Sequence, residues 1–373
     1  MKRAVIIGAG ISGLATALRL ERDGWRTLVV ERAPARRSSG YLVNLLGPGH
    51  DAADRLGLLP ALRSQAVGVF TTALVHADGR PKFTVPAAVA EAAVGPRLLT
   101  VFRGDLEAAL FNAVHTDFRF ATTVKTIDQN PDFVRVKLSD GTTEDADLVV
   151  GADGVHSQTR TTVFGGDFRV DFPYVVAAFG LTDAPEGSAT TYIGPGRTAA
   201  TVNLGAERSS AFFTYRCADP DAELAIGPAV ALRKAFGDVS FACPENGIPE
   251  DAYFDKVSQV VLPQWSNGRV VLIGDAAWCV TLFAGHGAAL ALAGADQLGD
   301  ALQRHESIPE ALTAWEAALR PIVVKRQAAA QRGMLQFAPP TRFHVWLSEL
   351  TMRAITLPGI RTLVRRGIER QNR

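Results

Sequence analysis

Three glycines near the start of the chain have the spacing of a phosphate-binding turn. Gly8, Gly10 and Gly13 form a GxGxxG motif, and Glu31 follows 18 positions after the third glycine. In such a motif the first glycine permits a tight turn, the second lets the backbone approach a pyrophosphate, and the third allows close helix–strand packing. An acid at the position of Glu31 accepts hydrogen bonds from a ribose diol. The pattern therefore predicts binding of NAD or FAD rather than NADP, without separating the first two.

The residues around these glycines predict the βαβ unit that the motif requires. Residues 4–7 are a short apolar run rich in β-branched side chains, which is typical of a buried parallel strand. Residues 14–20 predict a helix, and residues 25–30 a second strand that ends at the acid. The N-terminus of such a helix offers unpaired N–H groups and the positive end of its dipole to an anion.

Two later strand ends carry similar turn chemistry. Residues 145–152 and 268–274 predict strands, and each is followed by an Asp or Gly-Asp turn that leads to a helix. Their candidate ligand residues are Asp153, Gly154, Asp275, Gly285, Gly287 and Ala288. Either turn alone is as typical of an ordinary strand-to-helix connection, because glycine and aspartate are favoured in turns. The three together indicate one dinucleotide site.

The three motifs resemble those of FAD-dependent single-component aromatic hydroxylases, which have the p-hydroxybenzoate hydroxylase fold. They read GAGISGLATALRLERDGWRTLVVERAP at 8–34, DLVVGADGVHSQTR at 147–160 and VVLIGDAAWCVTLFAGHGAALAL at 270–292. The chain is especially similar to tetracycline-inactivating and polyketide-tailoring monooxygenases. The resemblance spans roughly residues 1–330 and is weakest in the middle.

This resemblance implies roles for individual residues. It places Glu31 on the adenosine ribose, Asp275 on the ribityl and pyrophosphate region, and Arg103 near the isoalloxazine. Asp153, with Gly154, would lie where FAD and NAD(P)H contacts are shared, and Asn44 replaces an aspartate in a loop over residues 40–45. The candidate cofactor-binding residues are Gly8, Gly10, Ser12, Gly13, Glu31, Arg32, Asn44, Arg103, Asp153, Gly154, Asp275, Gly285, Gly287 and Ala288. No catalytic residue and no metal ligand is assigned.

Three positions of the last motif depart from the pattern of the family. Relatives usually have a proline next to the flavin, at the position of Leu282 or of its neighbour Thr281. The absence of this proline affects the expected rigidity of the loop and not FAD binding. His286 replaces a common glutamine, and we expect its backbone N–H to serve the site rather than its side chain. Trp278 replaces a frequent histidine and should pack as a hydrophobic anchor.

We predict an α/β fold with a Rossmann-like FAD-binding domain, an inserted antiparallel β-sheet substrate domain and a helical C-terminus. Predicted strands of the insertion cover 172–179, 189–193, 198–204 and 210–216. Most of its aromatic residues should face a core: Phe179, Tyr192, Phe212, Phe213 and Tyr215. The FAD-binding domain comprises 1–72, 98–170 and 257–320, the substrate domain 73–97 and 171–256, and the C-terminal segment 321–373.

Composition excludes several other classes of protein. The 373 residues are 47% hydrophobic and 21% charged, which excludes disordered, collagen-like and polytopic membrane chains. The net charge of +1 argues against a general nucleic-acid binder. The three cysteines, Cys217, Cys243 and Cys279, have neither disulfide nor zinc spacing, which favours a reduced, cytoplasmic protein. The glycines of the first motif interrupt the N-terminal apolar run, so neither a signal peptide nor stable membrane insertion is predicted.

The C-terminal segment carries most of the excess positive charge. Residues 320–373 contain eleven basic and two acidic residues, a net +9, which leaves −8 on residues 1–319. From residue 340 onward, Phe343, Trp346, Leu347, Leu350 and Ala354 share one helical face, and a second helix is predicted from Pro358. A basic amphipathic end is typical of membrane-surface or partner helices. We favour the simpler interpretation that it packs on the acidic body.

The resemblance implies a monooxygenase reaction. NAD(P)H would reduce FAD, O₂ would add at flavin C4a, and the hydroperoxide would transfer one oxygen to an electron-rich aromatic or polycyclic small molecule. The chain has no second GxGxxG motif for nicotinamide, in agreement with the family, whose pyridine nucleotide binds transiently. Alternatives are Baeyer–Villiger, epoxidation or oxidative decarboxylation chemistry on the same scaffold, or a redox-silent flavin-binding protein. The substrate, the choice of NADH or NADPH and the oligomeric state are not determined by the sequence.

Overall fold

The computed structural model describes residues 1–36, 41–68, 70–89, 98–180, 186–205, 208–242, 247–250 and 252–355. The strands are β1 (Arg3–Ile7), β2 (Arg26–Val30), β3 (Leu42–Leu45), β4 (Thr72–Val75), β5 (Pro81–Val85), β6 (Leu99–Phe102), β7 (Asp117–Arg119), β8 (Val124–Gln129), β9 (Val134–Leu138), β10 (Thr143–Ala146), β11 (Leu148–Gly151), β12 (Arg169–Phe179), β13 (Ser188–Gly194), β14 (Arg197–Asn203), β15 (Ser209–Arg216), β16 (Tyr253–Val260), β17 (Ser266–Asn267) and β18 (Val270–Leu272). The helices are α1 (Ile11–Arg22), α2 (Pro48–Arg55), α3 (Leu59–Ser64), α4 (Arg103–Ala113), α5 (Gln158–Phe164), α6 (Pro220–Ala225), α7 (Pro228–Phe236), α8 (Asp275–Trp278), α9 (Gly287–Arg304), α10 (Ile308–Phe337) and α11 (Arg342–Ile355), with a 3₁₀ turn at Leu282–Ala284.

The first sheet contains all three predicted motif strands. Its order is β17-β18-β11-β1-β2-β7, and the strands from β18 to β7 are parallel. One face packs against α1 and α9, and the other packs against the three-stranded sheet β10-β9-β8. Burial on both faces explains why these strands are continuous apolar runs. The βαβ unit and the Rossmann-like class that the sequence predicted are both confirmed.

The second sheet has seven strands in the order β16-β12-β15-β14-β13-β4-β5. The four strands predicted for the insertion are present and pair antiparallel. Four of the five predicted aromatic residues are buried with Phe236 of α7: Phe179, Tyr192, Phe213 and Tyr215. Phe212 instead contacts the opposite cluster, which contains Phe283. The predicted boundary between 256 and 257 falls inside β16, which remains in this sheet to Val260.

A buried carboxylate ties the helices behind the first motif together. Asp296 of α9 is 1% exposed and accepts hydrogen bonds from Arg19 of α1 at 2.7 Å and from Nε of Arg55 of α2 at 2.6 Å. Since a buried charge is stable only when it is paired, this network fixes α1 relative to α9. The position of α1, whose N-terminus follows the glycine turn, is therefore stabilised by contacts near its C-terminal end.

The C-terminal helices cover both units of the chain. The predicted anchor Trp278 is 1% exposed and packs between Trp265 and Trp315, with ring centroids 4.6 and 5.7 Å away. Val345 of α11 packs against β4 and β13. The predicted apolar face of this helix instead points outward, with Phe343, Trp346, Leu347 and Leu350 exposed. The predicted helix from 358 and Cys243 lie outside the described residues, and no described helix is long and apolar enough to cross a membrane.

Candidate functional site

The three predicted turns meet at one edge of the first sheet. Gly8 has φ +108°, and a Cβ there would lie 2.5 Å from the carbonyl oxygen of Ala152, just after β11. Gly274, just after β18, has φ +63°, and a Cβ there would lie 1.9 Å from Oγ of Ser12. Both positions combine a left-handed backbone with a close approach, which only glycine tolerates. The ends of β1, β11 and β18 are thus in direct contact.

The other two glycines of the first motif differ in a way that matches their predicted roles. A Cβ on Gly13 would lie 1.9 Å from the carbonyl oxygen of Gly8, so this glycine lets α1 pack against the turn. A Cβ on Gly10 would meet nothing within 4 Å. Gly10 is also the N-cap of α1, which has neither a side-chain cap nor an acidic residue in its first turn. Open space in front of an uncapped helix N-terminus suits a phosphate.

These turns border a cavity of about 410 Å³. Eight of the predicted cofactor-binding residues line it: Gly8, Gly10, Glu31, Arg32, Arg103, Asp153, Gly154 and Asp275. The other six are not among its lining residues: Ser12, Gly13, Asn44, Gly285, Gly287 and Ala288. Ser12 and Gly13 lie behind the first turn, where they support it.

Glu31 holds a fixed position at the end of β2. One carboxylate oxygen accepts the backbone N–H of Ala9 at 2.8 Å, and the other accepts the N–H of Ala33 at 2.8 Å. Each oxygen keeps a further lone pair, and the residue lines the cavity. A carboxylate oriented in this way fits the hydroxyls of a ribose.

Two predicted ligands form hydrogen bonds within the protein that the sequence did not indicate. The predicted loop at Asn44 is strand β3, and Asn44 Oδ1 accepts the hydroxyl of Thr100 across the β3–β6 pair at 2.8 Å. The carboxylate of Asp153 accepts the hydroxyl of Ser157, and also the N–H and hydroxyl of Thr159 at 2.9 Å each. The helix after this turn begins at Gln158, with Ser157 as its N-cap. Asp153 shapes the cavity wall by holding this turn.

One end of the cavity combines aromatic and charged side chains. The guanidinium of Arg103 lies 5.4 Å from the ring centre of Tyr41 and 2.8 Å from the carboxylate of Glu107. The rings of Tyr41 and Tyr253 are 5.8 Å apart. Burial raises the pKa of both tyrosines, which keeps their hydroxyls neutral near pH 7. Asp275 faces the cavity but is otherwise enclosed by protein, and this burial raises the pKa of its carboxyl although Arg103 opposes the shift.

A histidine network borders the cavity where the two sheets meet. His156 Nε2 lies 2.8 Å from the carboxylate of Asp255 on β16, and its Nδ1 lies 2.8 Å from Arg169 on β12. Because a guanidinium only donates, Nδ1 accepts and the Nε2–H donates to Asp255. The sequence predicts no site role for His156 or Tyr253. Asp255 lies 99 residues from His156 along the chain, and Tyr41 is farther still from Tyr253, so no local pattern indicates these two contacts.

The turn where relatives carry proline has an unusual backbone. Thr281 has φ +78°, a region that β-branched residues rarely occupy, and its buried hydroxyl makes no hydrogen bond. Leu282 packs with Phe283 in an apolar cluster between the second sheet and α10. The ring of His286 pairs through Nδ1 with the carbonyl oxygen of Ala284, and His286 does not line the first cavity.

Together the residues of the first cavity fit a dinucleotide that ends in an aromatic group. The uncapped N-terminus of α1 suits a diphosphate, Glu31 suits a ribose, and the end formed by Tyr41, Arg103, Tyr253 and Asp275 suits a polar aromatic ring. No group of three or more His, Cys, Asp or Glu residues that could hold a metal ion occurs in the part of the chain that the structure describes.

Comparison with known proteins also indicates a FAD-binding chain. Residues 2–170 match the FAD binding domain family. The chain is 25% identical to the FAD-dependent monooxygenase asL4 of Sarocladium schorii, over 95% of this chain and 92% of that protein. Its fold superposes on the tetracycline destructase Tet(51) with a TM-score of 0.79 and 25% identity, covering 98% of each chain.

A structure determined with FAD bound has the same fold. Klebsiella pneumoniae HpxO, crystallised with FAD and uric acid, superposes with a TM-score of 0.77 and 21% identity, over 100% of this chain and 96% of that one. The FAD-binding fold and the FAD cofactor that the sequence predicted are confirmed. The chain is therefore an enzyme with a FAD-binding domain at residues 2–170 and the p-hydroxybenzoate hydroxylase fold, and it is similar to FAD-dependent monooxygenases along most of its length.

Proposed function

We propose that this enzyme uses NAD(P)H and O₂ to insert one oxygen atom into an aromatic or polycyclic small molecule. The observation that carries the proposal is the convergence of three strand ends on one cavity, with Tyr41, Arg103, Tyr253 and Asp275 at one end. The cavity also borders β16 of the second sheet, and ligand sites favour such boundaries between units.

The lining residues suggest how FAD would be held. In this proposal the N-terminus of α1 and the open face of Gly10 take the diphosphate, while Glu31 takes the adenosine ribose. Arg103 and Asp275 would hold the ribityl chain and the ring system. Arg103 is already oriented by Tyr41 and Glu107, so binding would require little ordering of this side chain.

The chain itself supplies positioning and exclusion of water. When bound, FAD supplies the redox chemistry, accepting a hydride from NAD(P)H and activating O₂ once it is reduced. The neutral hydroxyls of Tyr41 and Tyr253 are hydrogen-bond donors at the wall of the cavity. The apolar cluster of Phe212, Phe283 and Met334 keeps the nearby junction between the second sheet and α10 dry.

The proposed substrate class and co-substrate rest on further observations. The names of two structural relatives refer to tetracycline and to uric acid, both of which are fused-ring compounds. The single GxGxxG motif belongs to the cavity already described, so the pyridine nucleotide would bind transiently and without a Rossmann unit of its own.

The visible spectrum of the purified protein, followed by rapid-mixing kinetics, tests this function. We expect a flavin spectrum that NADH or NADPH bleaches, reoxidation by O₂, and incorporation of one ¹⁸O atom into a compound from a panel of phenols, quinolones and polyketides. A protein that takes up no FAD from excess would disprove the cofactor role of the cavity. NAD(P)H oxidation that never transfers oxygen would instead favour the redox-silent flavin-binding alternative, whereas lactone, epoxide or decarboxylated products would reassign the reaction type.

Paired variants separate the cavity from a general effect of lost charge. Arg103→Met should weaken FAD binding about tenfold or more, because a charged partner at the site is lost. Arg26→Met removes an exposed arginine that is paired with Asp117 outside the cavity, and should leave FAD binding unchanged. Equal effects of the two variants on FAD affinity would contradict the assignment of Arg103.

A further inference from the structure

A second cavity, of about 380 Å³, lies between the 3₁₀ turn at Leu282–Ala284 and the C-terminal half of α10. Its larger lining side chains are Phe283, His286, Arg326, Arg332, Gln336 and Phe337. None of the described residues lines both this cavity and the first one. It is therefore a separate space, next to the turn that leads into α9.

The lining of this cavity is cationic. Arg326 is only 7% exposed, while Arg332 is exposed at the rim. None of the described lining residues is acidic. Burial lowers the pKa of the Arg326 guanidinium. A guanidinium has five N–H donors, and an anion in the cavity would form charge-assisted hydrogen bonds with it.

Aromatic rings and small residues complete the cavity. The rings of Phe283 and Phe337 stack with centroids 5.0 Å apart and planes inclined by 30°. On α10, residues 326, 330, 333 and 337 are spaced three or four apart and share one helical face. Two of these, Ala330 and Gly333, are small, so they leave room between the arginine and the phenylalanine. A planar ring that carries an acidic group matches this arrangement of guanidinium and phenyl rings.

The cavity also contacts elements that lead to the flavin site. The ring of Phe283 packs edge-on against Tyr174 of β12, with centroids 5.9 Å apart. His286 precedes the first residue of α9, and its Nδ1–H donates to the carbonyl oxygen of Ala284. A ligand in the second cavity would therefore touch both ends of this turn.

We propose that the second cavity is a binding site for an aromatic carboxylate, with the carboxylate on Arg326 and the ring against Phe283 and Phe337. The proposal goes beyond the monooxygenase function, because it assigns a ligand site whose described lining residues are all different from those of the FAD cavity. Recognition depends on charge at one end of the ligand and on aromatic contact at the other.

Direct binding of 2-naphthoate to the full-length protein, with and without FAD, tests the proposal by calorimetry. We expect 2-naphthoate to bind, its neutral isostere 2-naphthamide to bind about tenfold or more weakly, and excess FAD to leave naphthoate binding in place. Equal binding of the acid and the amide, no binding of the acid, or displacement of naphthoate by FAD would overturn it. Loss of FAD binding with naphthoate binding retained would count against the monooxygenase proposal alone.

Variants on α10 locate the ligand. Arg326→Gln should weaken naphthoate binding about tenfold, and Arg326→Lys should restore part of the affinity. The matched control is Lys325→Gln, which removes an exposed charge of α10 outside the described cavity lining and should leave naphthoate binding unchanged. Thermal unfolding of each variant shows whether the fold is kept. If Arg326→Gln does not fold, Phe337→Ala serves instead, because Phe337 is partly exposed and its loss should weaken binding of the ring. Wild-type affinity in both Arg326→Gln and Phe337→Ala would place the ligand elsewhere.

Discussion

Alanine at Gly10 and alanine at Gly13 should damage different properties of the enzyme. Gly10 has φ −81° and ψ −176°, extended backbone that alanine adopts freely, and a Cβ there meets nothing within 4 Å. A Cβ on Gly13 would lie 1.9 Å from the carbonyl oxygen of Gly8, which is backbone and cannot rotate away. The first change alters only the space in front of α1, whereas the second forces α1 away from the end of β1.

The structure sets the size of each effect. Gly10→Ala should leave the unfolding free energy of the apoprotein unchanged, or raise it by less than about 1 kcal/mol by restricting the unfolded chain. If the diphosphate contacts this backbone, the methyl group overpacks that contact at about 1–3 kcal/mol, which weakens FAD binding by about one to two orders of magnitude. Gly13→Ala should lower the unfolding free energy by about 3 kcal/mol, because a contact more than 1 Å too short has to be relieved.

Two measurements on the same preparations distinguish these outcomes. Urea unfolding of the apoproteins, followed by tryptophan fluorescence, gives the stability of each variant, and quenching of flavin fluorescence on titration gives the FAD affinity. Wild-type FAD affinity in Gly10→Ala would show that the diphosphate does not approach Gly10. A loss of stability in Gly10→Ala as large as that in Gly13→Ala would show that the space in front of α1 is not open.

Three further predictions concern buried charge and backbone strain. Asp296→Ala should lower the unfolding free energy, measured in urea titrations, by about 3 kcal/mol, because Arg19 loses a buried partner. Arg55 is half exposed and can turn toward water instead. A decrease below about 1 kcal/mol would refute the stabilising role of this network. Burial raises the pKa of Asp275 in the folded apoprotein, so the folded state keeps this proton to a higher pH than the unfolded state does, and stability falls as pH rises through the folded pKa. Asp275→Asn should flatten this part of the profile when melting temperature is measured from about pH 4 to about pH 8, and an unaltered profile would contradict the assignment. Thr281→Gly should raise the melting temperature by relieving a strain of about 1–3 kcal/mol at φ +78°, whereas a lower melting temperature would show that the lost side-chain packing outweighs the strain.

The parts of the fold that follow from local patterns were predictable. The buried runs at β1, β11 and β18 and the glycines between strand and helix indicated the Rossmann-like sheet, because burial on both faces and positive φ constrain residue type. The strands β12 to β15 were predictable for the same reason, since turn residues separate segments rich in aromatic and β-branched side chains.

Features that depend on distant partners were not predictable. The sequence showed an asparagine at 44, but not the hydrogen bond that its side chain accepts from Thr100, 56 residues later in the chain. Tyr253 reaches the cavity only because β16 pairs with β12, a contact over some 80 residues of chain. The apolar face of α11 was expected to be buried, but it is exposed. Periodicity shows that a helix has an apolar face, but it does not show whether another element covers that face.

The order of strands in the first sheet affects how the protein is made on the ribosome. The edge of β11 is paired by β18, more than 110 residues later in the chain, and α9 covers the same sheet only after that. Until those segments emerge, the nascent chain exposes a buried-type parallel strand with an unsatisfied edge, the kind of surface that chaperones bind and that aggregates when left bare. Expression of residues 2–170 alone, although they match a named family, would therefore yield an incomplete folding unit.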